Sequence, residues 1–261
     1  MSARAAGTLR RSEPWPKRPG RRPRAGKMED RITPELYLEY SDVAPEEYEA
    51  DRVPELVRVP GVERVTWWAS DHPTGHALSR MPHRSLLGIC ELSGGGVAPP
   101  EAMPGATGLH FHHYPRPGQG NLSGRPTLGL LMVLISSATP EGAQSLRDWG
   151  DFVHLRHIAA ASVPGFVMIT PYERVDADWD GNGPRFLHCY EMDTGEPQKA
   201  YDTMLPLVAE RLGGMDTPEF ADWSGHPELV IEYVNTWRRV GMIEANASDA
   251  SDDGAVEIGD R

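Results

Sequence analysis

The chain has 261 residues, 39% hydrophobic and 25% charged, with a formal net charge of −12. That length fits one large domain or two small ones, each able to bury a core without disulfides. Two cysteines, Cys90 and Cys189, exclude a disulfide scaffold or a Cys-rich zinc site. No run approaches the ~18 apolar residues of a membrane span, and the N-terminus lacks the apolar core of a secretory signal, so a soluble cytoplasmic protein is expected.

Residues 1–31 form a basic arm. Within 1–27 there are nine Lys/Arg against Glu13 alone, which leaves 17 basic and 37 acidic residues in the rest of the chain. A body that negative repels a phosphate backbone, so no nucleic-acid partner is expected. The arm is rich in Pro and Gly and lacks hydrophobic periodicity. It reads as disordered, or as sequence upstream of a true start at Met28.

Two units follow, 32–126 and 127–243, before an acidic tail at 244–261 expected to be disordered. Their elements match in order. First strands are expected around Leu36–Tyr40 and Leu130–Ile135. Pro45-Glu46 and Pro140-Glu141 open a helix in each unit, and Pro60-Gly61 and Pro164-Gly165 end it. Second strands fall at Val65–Trp68 and Val167–Thr170. Third strands fall at Leu86–Leu92 and Phe186–Met192, and Leu109–Tyr114 and Leu229–Trp237 close the units. A second helix is predicted from Pro197 to Leu212, stopped by Gly213-Gly214. In the first unit the Gly/Pro-rich stretch Gly94–Gly108 leaves that helix short or missing. The fold class is therefore α+β, with two tandem ferredoxin-like βαββαβ repeats whose bare faces close an intramolecular α/β barrel.

In the second unit Asp148-Trp149-Gly150-Asp151-Phe152-Val153-His154 leads to Val163-Pro164-Gly165. This stretch resembles the EthD-like members of the dimeric α/β-barrel superfamily, whose helix carries a Trp and a His and then runs into Pro-Gly. The resemblance, over about residues 34 to 240, implies a tandem form of that barrel. Its relatives include lactone isomerases, polyketide cyclases, cofactor-free oxygenases, haem enzymes and binding proteins. The first unit departs from the pattern, with Arg52 near the His position and no Trp before it. At 100° per residue, Trp149, Phe152, Val153, Arg156 and Ala160 share an arc that predicts the packed face of the helix, with His157 at its edge and His154 outside it.

Strand alternation puts His110, His112 and Tyr114 on one face and Leu109, Phe111 and His113 on the other. With Leu109 and Phe111 under the helices, the first set would line a central cavity. On the matching strand, His188 and Tyr190 share a face suited to a small-molecule pocket, while Glu91 and Glu191 fall on the opposite face, near strand ends. Cys189 reads as core. The expected function is a small-molecule enzyme acting on an apolar or aromatic, polyketide-like substrate by cofactor-independent proton transfer, of cyclase, isomerase or oxygenase type. His110 or His112 would be the base, and Tyr114, His188 or Tyr190 would stabilise the enolate. One alternative is a haem- or metal-dependent enzyme, with His110-x-His112 completed by His188, Glu191 or Glu91 around a mononuclear metal. Another is a non-catalytic small-molecule-binding protein. The fused pair could associate again as a homodimer.

Overall fold

Segments in which apolar side chains alternate or run together become the strands β1 (Glu35–Ser41), β2 (Val62–Ser70), β3 (Leu86–Leu92), β4 (Thr107–His113), β5 (Gln119–Gly120), β6 (Gly129–Ser137), β7 (Phe166–Arg174), β8 (Phe186–Met192) and β9 (Leu229–Glu244). The computed structural model describes residues 33–72, 74–114, 116, 118–120, 125–175 and 183–245. The basic arm, Met28 and the tail beyond Ala245 lie outside the described residues.

The strands pair antiparallel in the order β4-β1-β3-β2-β9-β6-β8-β7-β5, and β4 also pairs with β7. Eight strands therefore close an α+β barrel that leaves no open edge among them, while β5 adds to β7. In each run of four the spatial order is fourth, first, third, second. One seam is short, with only Phe111, His112 and His113 of β4 opposite Arg174, Glu173 and Tyr172 of β7. The other is longer because β9 runs past Trp237 to Glu244 along β2.

Sixteen side chains fill the barrel, none more than 7% exposed, among them Leu38, Tyr40, Phe111, Met132, Leu187 and Trp237. Each contributes about 1.5–3 kcal/mol by leaving water. Leu109 and Phe111 belong to this interior cluster, so the alternation on β4 holds but its direction is the reverse of that expected. His110 and His112 point outward and His113 inward. The expectation placed Leu109 and Phe111 under the helices, but the larger apolar set on β4 fills the barrel; the second helix of the first unit is absent as foreseen, since residues 93–106 form no helix. Gly94, Gly95 and Gly96 have φ of +78°, +81° and +83°, a left-handed run no helix can use.

Among the described residues, four helical segments lie outside the barrel. Helix α1 runs Pro45–Glu47, a wide turn Tyr48–Arg52, then Val53–Leu56. Helix α2 runs Ala143–Trp149, a wide turn Gly150–His154, then Leu155–Ala161. In both wide turns a backbone N–H reaches the carbonyl five residues back, Val53 to Tyr48 and Leu155 to Gly150. The extra residue rotates everything after it. The packed face of α2 is therefore Ala143, Leu146, Gly150, Asp151, Leu155 and Ile158, not the predicted arc, and Phe152 is 54% exposed. Helix α3 (Pro197–Arg211) sits where expected.

Helix α4 (Pro218–Ser224) was not anticipated. Thr217 caps it by accepting from the Phe220 N–H at 3.2 Å. The signal was present as Thr217-Pro218-Glu219, a cap, a first-turn proline and an acid at the positive end of the helix. No helix among the described residues is long and apolar enough to cross a membrane.

Candidate active site

The two wide turns meet the sheet in opposite ways. Under α1, Gly88 of β3 has no side chain, and a Cβ there would overlap the Tyr48 phenol. Under α2 the bulk is exchanged: the helix carries Gly150 and the strand carries His188, whose Cε1 would lie 3.2 Å from a Cβ on Gly150. The first unit is closed further by Glu39, fully buried and held by Arg52, Tyr48 and the Met103 N–H. The second unit keeps a polar cluster at its turn.

Asp151 is the centre of that cluster. It is 3% exposed, and Tyr114 donates its hydroxyl to Asp151 Oδ1 at 3.1 Å. Asp151 Oδ2 lies 3.3 Å from Arg116 Nη1 without hydrogen-bond alignment. Burial pushes the carboxyl up to about 6, against the Tyr114 hydrogen bond and the nearby Arg116 and Arg147. Burial and the same carboxylate push Tyr114 well above the ordinary phenol range. Arg147 lies over the Tyr114 ring at 5.0 Å and donates to Glu173 at 2.8 Å, and Arg185 donates to the same carboxylate. Beside the site, Gln119 donates to the Asp151 carbonyl at 3.5 Å and lines a cavity of about 130 Å³ with Ile158, Phe166 and Ile169.

All five residues expected at the site lie on the outer face of the barrel. Tyr114 bonds Asp151, His188 sits under Gly150, and Tyr190 packs in the apolar layer with Leu155 and Ile158, 5.8 Å from Phe166. His188 is buried, has no hydrogen-bond partner among the described residues, and is pushed down to about 3 by burial. His110 and His112 are across the short seam, and His110 Nε2 contacts Glu35 at 3.0 Å. His113 faces inward, donates to the Arg116 carbonyl at 3.0 Å and meets the Tyr172 ring edge-on. Asp151 was overlooked in the sequence because regular helical spacing gave no reason to turn it inward.

Trp149 and His154, the pair that carries the resemblance noted from the sequence, form a structural stack. The His154 ring lies between Trp149 and Trp223, at 5.0 and 5.1 Å. Its Nδ1–H donates to the Trp223 carbonyl and Trp223 Nε1–H donates to the His154 carbonyl, tying α2 to α4. His154 thus packs against a helix the sequence reading had not placed, and burial pushes it down to about 4.

For a metal, the suggested ligands are divided by the sheet. His110, His112 and His188 face out, whereas Glu91 and Glu191 face the barrel interior, where Glu91 takes Arg64 and Thr33 and Glu191 takes Thr127. Among the described residues no group of three or more His, Cys, Asp or Glu is placed to hold a metal ion.

No protein-family model matches the chain, and no curated protein matches it by sequence. Several solved structures are similar to it over most of its length. An anthrone oxidase-like protein is similar over 82% of this chain and 94% of its own, at TM-score 0.46 and 12% identity. A chlorite dismutase variant from Candidatus Nitrospira defluvii is similar over 79% of this chain and 90% of its own, at TM-score 0.40 and 11% identity. A haem-degrading enzyme from Listeria monocytogenes is similar over 78% of this chain and 98% of its own, at TM-score 0.39 and 9% identity. The barrel itself is established by the strand order of this chain.

Proposed function

We propose that the chain is a small-molecule enzyme that moves a carbon-bound proton on an aromatic substrate without a cofactor, at a site formed by Asp151, Tyr114 and Arg116 under the wide turn of α2. The observation that carries this reading is Asp151: a buried carboxyl, poised near 6, with one oxygen held by Tyr114 and the other without a hydrogen-bond partner. A base with a pKa near the working pH combines adequate strength with the correct protonation state. Wide turns of this kind recur at functional sites.

In this reading Asp151 Oδ2 accepts a proton from the carbon beside a carbonyl. The electron pair moves to the carbonyl oxygen, where the Arg116 guanidinium is the available donor, while the Tyr114 hydroxyl keeps its one proton on Asp151 Oδ1 and holds the base in place. The proton then returns to the same or a conjugated carbon, giving exchange or isomerisation. The base role expected of His110 or His112 passes to Asp151. His188 and Tyr190 form the floor, and their neutral rings keep water out. The two runs of four strands are read as tandem ferredoxin-like units, the second EthD-like.

Deuterium uptake by phenylacetone in D₂O, followed by proton NMR, tests the reading. The protein is expected to speed exchange over buffer, and Asp151→Asn to slow the catalysed part by about 10²-fold or more while circular dichroism stays unchanged. Catalysed exchange undiminished in Asp151→Asn would exclude Asp151 as the base, and no acceleration by the wild-type protein would remove the reading.

A further inference from the structure

Strand β9 outruns its neighbour. Its pairing with β6 ends at Gly129 opposite Arg238, and the Arg239 N–H donates to the Leu128 carbonyl at 3.0 Å. Beyond that point Val240–Glu244 is paired on one side only, with β2. The ladder fixes where its free groups point. The Ala245 N–H donates to the Glu63 carbonyl at 2.9 Å, and Arg64, Val65, Thr66 and Trp67 lie opposite Glu244, Ile243, Met242 and Gly241. Antiparallel pairs alternate between exchanging hydrogen bonds and not exchanging them. Gly241 and Ile243 therefore bond to β2, while Met242 and Glu244 aim their N–H and C=O groups away from it. These outward groups have no backbone partner among the described residues.

Such an edge is a template for another strand, and this one is apolar: Val240, Met242 and Ile243 are 36–44% exposed. Beside it lies a groove of about 380 Å³ between α1 and the strand, lined by Val53, Val57, Trp67, Met242 and Ile243. Gly241 carries no side chain, and the Trp67 indole lies across the strand at the place its Cβ would take. Charge adds a direction. Trp68 faces the barrel interior, and Thr66 and Arg64 share its side of β2, so Arg239, Met242 and Glu244 opposite them share one face of β9. The side chains of Arg239 and Glu244 have no ion pair among the described residues, and burial beside Arg64 pushes Arg239 down from its ordinary value. An unpaired cation thus stands at one end of the free edge and an unpaired acid at the other.

We propose that this edge is the interface between two copies of the chain, joined by antiparallel pairing of Val240–Glu244 about a two-fold axis through Met242. That axis uses the whole free edge and stops short of Leu128. It sets Met242 against Met242, so that outward groups exchange hydrogen bonds across it. Gly241 meets Ile243 of the second copy, whose side chain then packs against Trp67. Val240 meets Glu244 of the second copy, which brings that carboxylate beside Arg239, twice by symmetry. Such a contact is isologous and closes at two chains. No residue of this edge belongs to the Asp151 cluster, so the interface stands apart from the proton-transfer reading.

Sedimentation velocity of the full chain from about 1 to 100 μM tests this, a span suited to a small interface. A monomer–dimer equilibrium is expected. Met242→Pro removes an N–H that faces away from β2, so it spares that ladder and should weaken association about tenfold or more while circular dichroism stays unchanged. Ile243→Glu should weaken it without altering the backbone, and serves where Met242→Pro does not fold. Glu244→Arg should weaken the dimer, and Arg239→Glu combined with Glu244→Arg should restore it, because the reversed charges meet again across the axis. A monomer at the highest concentration overturns the proposal. So does a dimer indifferent to these substitutions, which would place the interface elsewhere. A dimer seen only after residues 246–261 are removed would assign the edge to the chain's own tail and overturns it as well.

Discussion

Arg52→Met is expected to lower the thermal unfolding midpoint by roughly 6–20 °C. Glu39 is fully buried on the outer face of β1, and Arg52 donates to it twice, from Nε at 3.1 Å and from Nη2 at 2.9 Å. Removing the guanidinium leaves the carboxylate with only the Tyr37 and Tyr48 hydroxyls and the Met103 N–H as donors. An unpaired buried charge costs about 3–5 kcal/mol, and for a domain of this size each kcal/mol shifts the midpoint by about 2–4 °C. Replacing both partners tells a different story. Arg52→Met with Glu39→Leu removes the desolvated charge as well as the pair, and should recover most of the loss. Circular dichroism melts of the two single variants and the double close the cycle. A drop in Arg52→Met of under 2 °C would mean the ion pair does not stabilise α1.

That pair also accounts for the asymmetry between the units. Arg52 ends the wide turn of α1 as His154 ends that of α2. In the first unit the turn is closed by an ion pair and by Tyr48 lying on Gly88. In the second unit Gly150 leaves the helix backbone bare above His188, and the next residue, Asp151, is left with an unshared oxygen. The same backbone irregularity serves as a seal in one place and as a candidate site in the other.

Strand positions were legible because they depend on local alternation and on turn residues: Leu86–Leu92 and Phe186–Met192 are strands to the residue. So was the lost helix of the first unit, announced by Gly94-Gly95-Gly96. The direction of a strand's faces was not legible. Alternation fixes which residues share a face, but the choice between barrel and exterior depends on which elements cover the strand, a tertiary fact. Reversing that choice on β3, β4 and β8 moved His110, His112, His188 and Tyr190 outside and brought His113, Glu91 and Glu191 inside. The wide turn in α2 was hidden for a related reason. A hydrophobic pattern read at 3.6 residues per turn contains no sign of an inserted residue, so Asp151 fell on the wrong side. The Trp149 and His154 pattern was visible, but its partner Trp223 comes from α4, and only the fold joins them.

Acid should unfold this protein through two histidines in the second unit. Burial pushes His154 down to about 4 and His188 to about 3, from the ordinary 6.5. In the unfolded chain both bind protons near pH 6.5, whereas in the folded protein they stay neutral until those lower values. Between them the unfolded chain holds more protons, so stability is complete above pH 6.5 and falls as pH falls. At about 1.4 kcal/mol per pKa unit, the two together remove about 8 kcal/mol by pH 3. Asp151 has the opposite sign: raised from 3.8 to about 6, it takes its proton first in the folded state and so restores about 3 kcal/mol as pH falls through that window. The net loss, about 5 kcal/mol, is comparable to the whole stability of an ordinary domain. A pH titration of the circular dichroism signal should therefore show cooperative unfolding in the acid range. His188→Leu removes about 5 of those 8 kcal/mol, so what His154 loses is nearly offset by Asp151 and the transition should move to markedly lower pH. Asp151→Asn should leave that transition nearly in place and raise stability near neutral pH, because Asn stands for the protonated carboxyl and removes the cost of the buried carboxylate. Coincident acid profiles for wild type and His188→Leu would show that the imidazole under Gly150 is already solvated, and with it that the floor of the site is open to water.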